Sequence, residues 1–408
     1  MRKWPVIACD QFTQDRDYWE KVSIEIDGAP STLNLIFPEV FLNDGNAESR
    51  IADIHSTMIR YLKENVLNER QGFVYIERDT PYNKKRRGLV AAIDLEKYEW
   101  KPAARPLIRC TEGTVEDRLP PRMDIRRGAP MELPHILLLI DDETDSILPA
   151  VGEIAKSRPA VYDTSLMMNC GKVTGWFLDS PSSAMTVLTE KLEELCNRSV
   201  SRCGQPFLFA VGDGNHSLAA AKGIWEEFKE KNGLAEHPCR YALVEIENIY
   251  DPAIKFEPIH RVIFGMAFDE AVSLLSTLPN FSHTLVDSFN ELAVLCEQQD
   301  VANRFGIVAD GRCALIKTSA TGIATACLQP LLDEYLINNK VEIDYIHDIE
   351  EVFRLTEKNK KTSGILLPPV KKAGFFDTVA RFGPLPRKSF SMGHSGEKRF
   401  YLECRKII

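Results

Sequence analysis

A chain of 408 residues, 44% hydrophobic and 27% charged, holds enough apolar material for two or three domains with cores of their own. Its longest strongly apolar run, Ile136 to Ile140, is bounded by His135 and Asp141, far too short to span a bilayer, and no signal-like segment opens the chain, so no membrane partner is expected. A formal net charge of −9 argues against a nucleic-acid partner, and 10 cysteines without Cys-x-x-Cys pairs or His/Cys clusters argue against structural zinc and a disulfide framework and for a reducing, cytoplasmic setting.

In chain order, Trp4 to Ala8 is a strand-like opening that runs into Cys9-Asp10-Gln11, a polar strand end suited to lining a site. Ser31 to Phe37 reads as another strand, and Glu48 to Leu67 as a helix with Ile51, Ile54, Met58, Tyr61 and Leu62 on one side. Gly72 to Arg78 and Gly88 to Asp94 form an antiparallel hairpin around a solvated basic turn, Lys84 to Arg87. Next, Glu112 and the hydroxyls of Thr111 and Thr114 gather beside Gly113, and Pro120-Pro121 is expected to stop any helix there. Glu112 is a candidate general base, the alternative being a surface acid. Arg118, Arg122, Arg126 and Arg127 suit a phosphate or neighbouring acids. Ile136 to Ile140 is a buried strand whose acidic exit, Asp141 to Asp145, is expected to be solvated.

The stretch from Phe207 to Lys222 reads as a buried strand, a tight polar turn and the start of a helix. Gly212 and Gly214 let the backbone bend, so that the amides of Gly214, Asn215 and His216 point outward together at a helix start, where an anion is favoured. Asp213 then flanks a phosphate as a magnesium ligand or base, and His216 as a donor; the plainer reading is a helix cap from Asp213 or Asn215. His260-Arg261 follows a proline turn and suits a phosphate or a structural role. Beyond Phe264 the chain alternates short helices and strands, a second α/β module without internal repeat. No Walker-type phosphate loop is present, since Cys170-Gly-Lys-Val173 lacks the upstream glycine and the hydroxyl.

Four segments in order, Glu112-Gly-Thr114, Asp213-Gly-Asn-His216, Pro258-Ile-His-Arg261, and Leu385-Pro-Arg-Lys-Ser-Phe390 after Gly364-Ile-Leu-Leu-Pro368, resemble the domain-of-unknown-function family numbered ten-fifteen over nearly the whole chain. That family is similar, more distantly, to the archaeal free-serine kinases. The resemblance implies an α/β fold with a mixed sheet, a ParB/sulfiredoxin-like nucleotide-binding catalytic domain over residues 1–262 and a second α/β module over 263–408 packed on it. It implies phosphoryl transfer from ATP or ADP, with Mg2+, to the hydroxyl of an amino acid, free L-serine first; the alternative is a nucleotide or phosphate sensor without turnover. The residues implied are Glu112, Asp213 and His216 for catalysis, Gly212, Gly214, Asn215, His216, Arg118, His260 and Arg261 for the nucleotide, Asp10, Gln11, Thr114 and Lys388 for the acceptor, and Asp213 for the metal. The family motif Asp-Gly-His-His-Arg stands here as Asp213-Gly-Asn-His-Ser217, and Thr111 stands where the family has histidine, leaving Arg118, Arg122 or Arg261 as phosphate cations. A sulfiredoxin-type reaction needs a cysteine in the turn, where Asn215 and Ser217 leave none, and the acidic balance and lack of a recognisable helix-turn-helix count against a ParB-type DNA role.

Overall fold

Leu137–Ile140 is four consecutive apolar residues, all buried, as a strand covered on both faces demands. It lies at the centre of a nine-stranded mixed sheet made of β1 (Gly72–Asp79), β2 (Arg86–Asp94), β3 (Tyr98–Glu99), β4 (Ile108–Arg109), β5 (Leu137–Ile140), β6 (Tyr162–Ser165), β7 (Lys172–Asp179), β8 (Phe209–Asp213) and β9 (Tyr241–Asn248). The spatial order is β3-β4-β8-β5-β9-β2-β1-β7-β6. The pairs β3/β4, β4/β8 and β5/β9 are parallel, and the others are antiparallel. The computed structural model describes residues 2–408 apart from 84, 102–103, 134, 299–303 and 321, so Lys84 of the basic turn lies outside the described residues. With 11 α-helices and several sheets among the described residues, the fold is mixed α/β, and no described helix is long and apolar enough to cross a membrane.

The chain divides into two compact units, Met1–Ile254 with His394–Ile408, and Lys255–Gly393. A division at residue 262 with everything beyond it in one module omits the return of the C-terminal segment. That return is a strand pairing, in which Val6 faces Tyr401 and Ile7 faces Phe400.

Three local expectations change. Ser31 to Phe37 is not a strand: Ser31 Oγ accepts from the Leu33 amide at 3.3 Å and starts a short 3-10 helix, Thr32–Leu35. Pro120 and Pro121 begin a helix, Leu119–Arg126, because proline is tolerated in the first turn, where its missing N–H has no partner to lose. The acidic exit of β5 is not simply solvated, since buried Asp142 accepts from the amides of Ser146 and Ile147 at 2.7 and 2.8 Å and starts the helix Ile147–Lys156.

The second unit contains an internal repeat, contrary to expectation. Its six-stranded antiparallel sheet runs Ser282–Val286, Arg312–Lys317, Arg304–Ala309, Thr362–Leu366, His260–Phe264, Glu342–Ile346. Residues 260–309 and 312–366 each run strand, helix, strand, helix, strand, and the halves pair in matching register. At the centre Ile307 faces Ile365, with Gly306 opposite Leu366 and Val308 opposite Gly364, so exchanging the halves maps this ladder onto itself. Further out, Phe264 faces Glu342 and Thr362 just as Lys317 faces Ser282 and Arg304. Helices Phe268–Leu275 and Ala324–Asn338 pack on one face, and Phe289–Glu297 and Ile349–Lys358 on the other. Sheet register needs only alternating apolarity, which many side-chain pairs satisfy, so the repeat hardly marks the sequence.

Glycines mark it best. Gly306 lies under Leu292 and Cys296, and Gly364 under Val352 and Thr356, where the helices cross the strands. A Cβ on Gly364 would stand 2.5 Å from Val352 Cγ1 and 2.8 Å from Val308 Cγ1. Gly364→Ala is therefore expected to destabilise the protein by about 1–3 kcal/mol, the scale of overpacking a core. An unchanged denaturant midpoint would contradict this packing.

Candidate functional site

Parallel strands β4 and β8 run side by side, with Phe209 opposite Ile108 and Ala210 opposite Arg109. Their carboxyl ends therefore deliver two loops, Thr111 to Val115 and Gly214 to Ser217, to one edge of the sheet, the place where open α/β sheets commonly bind ligands. Strand β5 is antiparallel to β8, which brings His135, just before it, to the same edge.

The register of β8 shifts between Val211 and Asp213, so Gly212 is the extra residue of a bulge and the strand continues to Asp213. The turn expected at two glycines is made by Gly214 alone, at φ 79°, where a Cβ would meet Ile136 Cα at 3.0 Å. The helix Asn215–Asn232 starts directly after it, with no side chain capping its end. Leu218, Ala221 and Trp225, at helical spacing, are buried in the core that includes Ile108 and Val211, which fixes where the helix starts.

Asp213 and Asn215 both make bonds within the two loops, and Asp213 also to the C-terminal segment. The Gly214 amide does not point outward but donates to Asp213 Oδ1 at 2.9 Å, and Asp213 Oδ2 accepts from Lys398 Nζ at 3.0 Å. Asn215 Oδ1 accepts from the Thr111 amide at 3.2 Å, and Thr111 Oγ1 donates to the Val211 carbonyl at 2.6 Å. The Val115 amide donates to His216 Nε2 at 3.2 Å. That bond makes Nε2 an acceptor, so the neutral ring carries its proton on Nδ1. The loop holding Glu112 and Thr114 is thus fastened to the turn at both ends by residues of the two motifs. Thr114 Oγ1 is buried and has no hydrogen-bond partner among the described residues, a buried polar atom that calls for an explanation.

A second wall comes from segments that the sequence reading did not connect. His135 is buried; its Nδ1 meets Tyr401 Oη at 2.7 Å, and its Nε2 stands 3.2 Å from Ser217 Oγ and 3.4 Å from Asp10 Oδ2. Gln11 donates to Asp10 Oδ1 at 3.1 Å, and the Cys9 amide donates to Tyr401 Oη at 3.1 Å. Burial opposes charge on both partners, yet the attraction between them holds Asp10 well below the usual carboxylate range and His135 well above the usual imidazole range. Glu39 is pushed up by burial despite its ion pair with Arg122. The C-terminal segment is fixed by Arg78, which donates to the carbonyls of Gly396, Glu397 and Lys398 at 2.9, 3.1 and 2.6 Å. Arg86, bound by both oxygens of Glu247, donates to the Glu397 carbonyl at 3.0 Å. His135, Tyr401, Lys398 and Glu39 were missed; the one signal available was a histidine standing directly before a buried strand.

The family described as "Protein of unknown function (DUF1015)" matches residues 1–335. The chain belongs to that family. No curated protein matches it. Among solved structures it is similar to a conserved hypothetical protein from Pyrococcus furiosus, at 13% identity over 78% of this chain and 94% of that one, with a TM-score of 0.39. It is similar to a free serine kinase in complex with AMP at 14% identity, over 81% of this chain and 94% of that one, with a TM-score of 0.40. A C-terminally truncated SbnI from Staphylococcus aureus matches at 10% identity, over 76% and 85% of the two chains, with a TM-score of 0.41.

In this member of the DUF1015 family the other expected residues lie in further segments, each with surroundings of its own. Arg118 is exposed and its carbonyl accepts from Arg122 at 2.9 Å, while Arg126 pairs with Glu132 and Arg127 with Asp124 and Glu227. His260, Arg261 and Lys388 belong to the second unit. There Arg261 is fully buried, donates to the carbonyls of Ile259 and Lys388 and to Gln329 Oε1, and covers the Tyr345 ring at 4.7 Å. His260 Nδ1 accepts from the Leu367 amide at 3.1 Å, and burial, helped by Arg261, pushes the imidazole down to about 4.

A group depressed in this way costs stability on the acid side. Below the unfolded value of about 6.5 the unfolded chain binds a proton that folded His260 refuses until about 4. Stability is therefore expected to fall over that window by up to about 1.4 kcal/mol per pH unit from this residue. Denaturant titrations at several pH values should show a shallower fall for His260→Gln; an identical slope would contradict the assignment.

Proposed function

We propose that this chain is a small-molecule kinase that transfers the terminal phosphoryl group of ATP or ADP to the hydroxyl of an amino acid, free L-serine first. The first unit is taken as a nucleotide-binding domain of the ParB/sulfiredoxin type. One observation carries the reading: the acid loop and the turn of the two resembling motifs are joined by the Thr111–Asn215 and Val115–His216 bonds at the carboxyl ends of adjacent parallel strands. Positioning and electrostatics do most of the work in phosphoryl transfer, and this edge supplies both.

The nucleotide phosphates would meet the amino end of the helix Asn215–Asn232, with His216 Nδ1–H as a donor and Lys398 as the near cation. The acceptor would lie between Glu112 and Thr114 on one side and Asp10 and Gln11 on the other. As its oxygen attacks phosphorus and the bond to the nucleotide oxygen breaks, its proton would pass to the Glu112 carboxylate. Among the described residues there is no group of three or more metal-binding side chains, which suits a nucleotide-borne magnesium ion held by one carboxylate, that of Asp213. When bound, such an ion would neutralise charge on the phosphates.

The Lys398–Asp213 pair favours a second reading, a sensor that binds nucleotide without turnover, because the carboxylate meant for the metal already has a cation. Incubating the protein with Mg2+, ATP or ADP and a panel of amino acids and small alcohols, with mass spectrometry of the products, separates the two. O-phosphoserine is expected; nucleotide binding without any phosphorylated product would select the sensor.

A further inference from the structure

Three chain segments remote in sequence meet at one imidazole. His135 joins Asp10 after the short strand Val6–Ile7, Ser217 in the first turn of the helix Asn215–Asn232, and Tyr401 in the C-terminal segment. The surroundings differ from those of a histidine that only fills a core. The imidazole is 8% exposed, whereas the Asp10 side chain it holds is 25% exposed and opens beside the turn. The two oxygens of Asp10 are placed separately, Oδ2 by His135 and Oδ1 by Gln11. The far end of the ring is anchored in turn, because Tyr401 Oη both meets Nδ1 and accepts from the Cys9 amide next to Asp10.

We propose that His135 is a positioning residue that sets the Asp10 carboxylate at the wall of the site to receive the ammonium group of an amino-acid acceptor. This rests on the kinase reading given above. An ionised carboxylate held by a buried cation keeps an open lone-pair side for a further donor, since two carboxylate oxygens offer about four acceptor positions. A cationic ammonium suits that place, whereas a neutral alcohol would gain little from it. Misplacement of a binding group by about 1 Å can cost on the order of 10²-fold in rate, so the anchoring itself matters.

Two variants separate positioning from stability. Glutamine reaches the place of Nε2, and asparagine only that of Nδ1. His135→Asn is expected to raise the KM for the amino-acid acceptor about tenfold or more while nucleotide affinity changes less than about threefold, and His135→Gln to restore most of the loss. An acceptor lacking the amine, a hydroxy acid, should be nearly indifferent to His135→Asn. Equal losses for both acceptors, or no change in KM in a folded His135→Asn protein, would overturn the proposal. If the wild type turns over no acceptor, the kinase reading fails by itself, and the positioning claim is read from amide hydrogen exchange in the ligand-free protein. Faster exchange over residues 9–11 in His135→Asn than in His135→Gln supports it, and equal rates overturn it. If His135→Asn does not fold, Asp10→Asn carries the same test, with loss confined to amine-bearing acceptors as the supporting result and unchanged KM as the contrary one.

Discussion

Glu112→Gln is expected to lower turnover by about 10² or more while the fold and nucleotide affinity persist, the usual scale of lost general-base catalysis. A serine hydroxyl is a poor nucleophile at neutral pH, and a carboxylate within hydrogen-bond reach both orients it and takes its proton. The loop that carries Glu112 is held at Thr111 by Asn215 and at Val115 by His216, so its backbone keeps a fixed place relative to the turn. The competing structural role is a salt bridge to Arg118 or Arg122, of which Arg122 is paired with Glu39. Steady-state rates and nucleotide titrations on one preparation decide it. Near-normal turnover would put the base elsewhere, and loss of folding would make the acid structural.

The second large effect is expected at Gly214. Gly214→Val should abolish measurable nucleotide binding, a loss of about 10²-fold or more, because a β-branched residue resists the left-handed backbone at φ 79° and its Cβ would press on Ile136. Relief of that strain would move the helix start, and with it Asp213 and Asn215. Part of the effect falls on stability, so the measurement is nucleotide titration at a temperature where the variant melts cooperatively above it. Gly214→Asn separates the contributions, because asparagine tolerates the left-handed region and keeps only the contact with Ile136. Wild-type affinity in folded Gly214→Val would show that the phosphate site is elsewhere.

What was legible in the sequence follows from what short-range patterns encode. Phe207 to Val211 followed by glycines and a helical apolar spacing identified β8, the turn and the helix, because each is a local matter of apolar period and backbone freedom. The bulge at Gly212 was not legible, since it exists only relative to β5. Pro120-Pro121 opens a helix rather than ending one, because the same residue that breaks a helix interior is tolerated in a first turn. His135, Lys398 and Tyr401 were invisible for a different reason. They reach the site through a strand antiparallel to β8 and through a C-terminal segment held by Arg78 and Arg86, pairings without any local signal. In the second unit Gln329 and backbone carbonyls accept from Arg261, and the Leu367 amide donates to His260, partners that no local pattern announces.

The most direct test of the central claim is a crystal structure of the protein soaked with Mg2+ and a non-hydrolysable ATP analogue. The account predicts phosphate oxygens within about 3 Å of the amides that open the helix after Gly214, with Asp213 and Lys398 beside them and the Glu112 loop facing the terminal phosphate. Phosphates bound away from the Gly214 to Ser217 turn would contradict it.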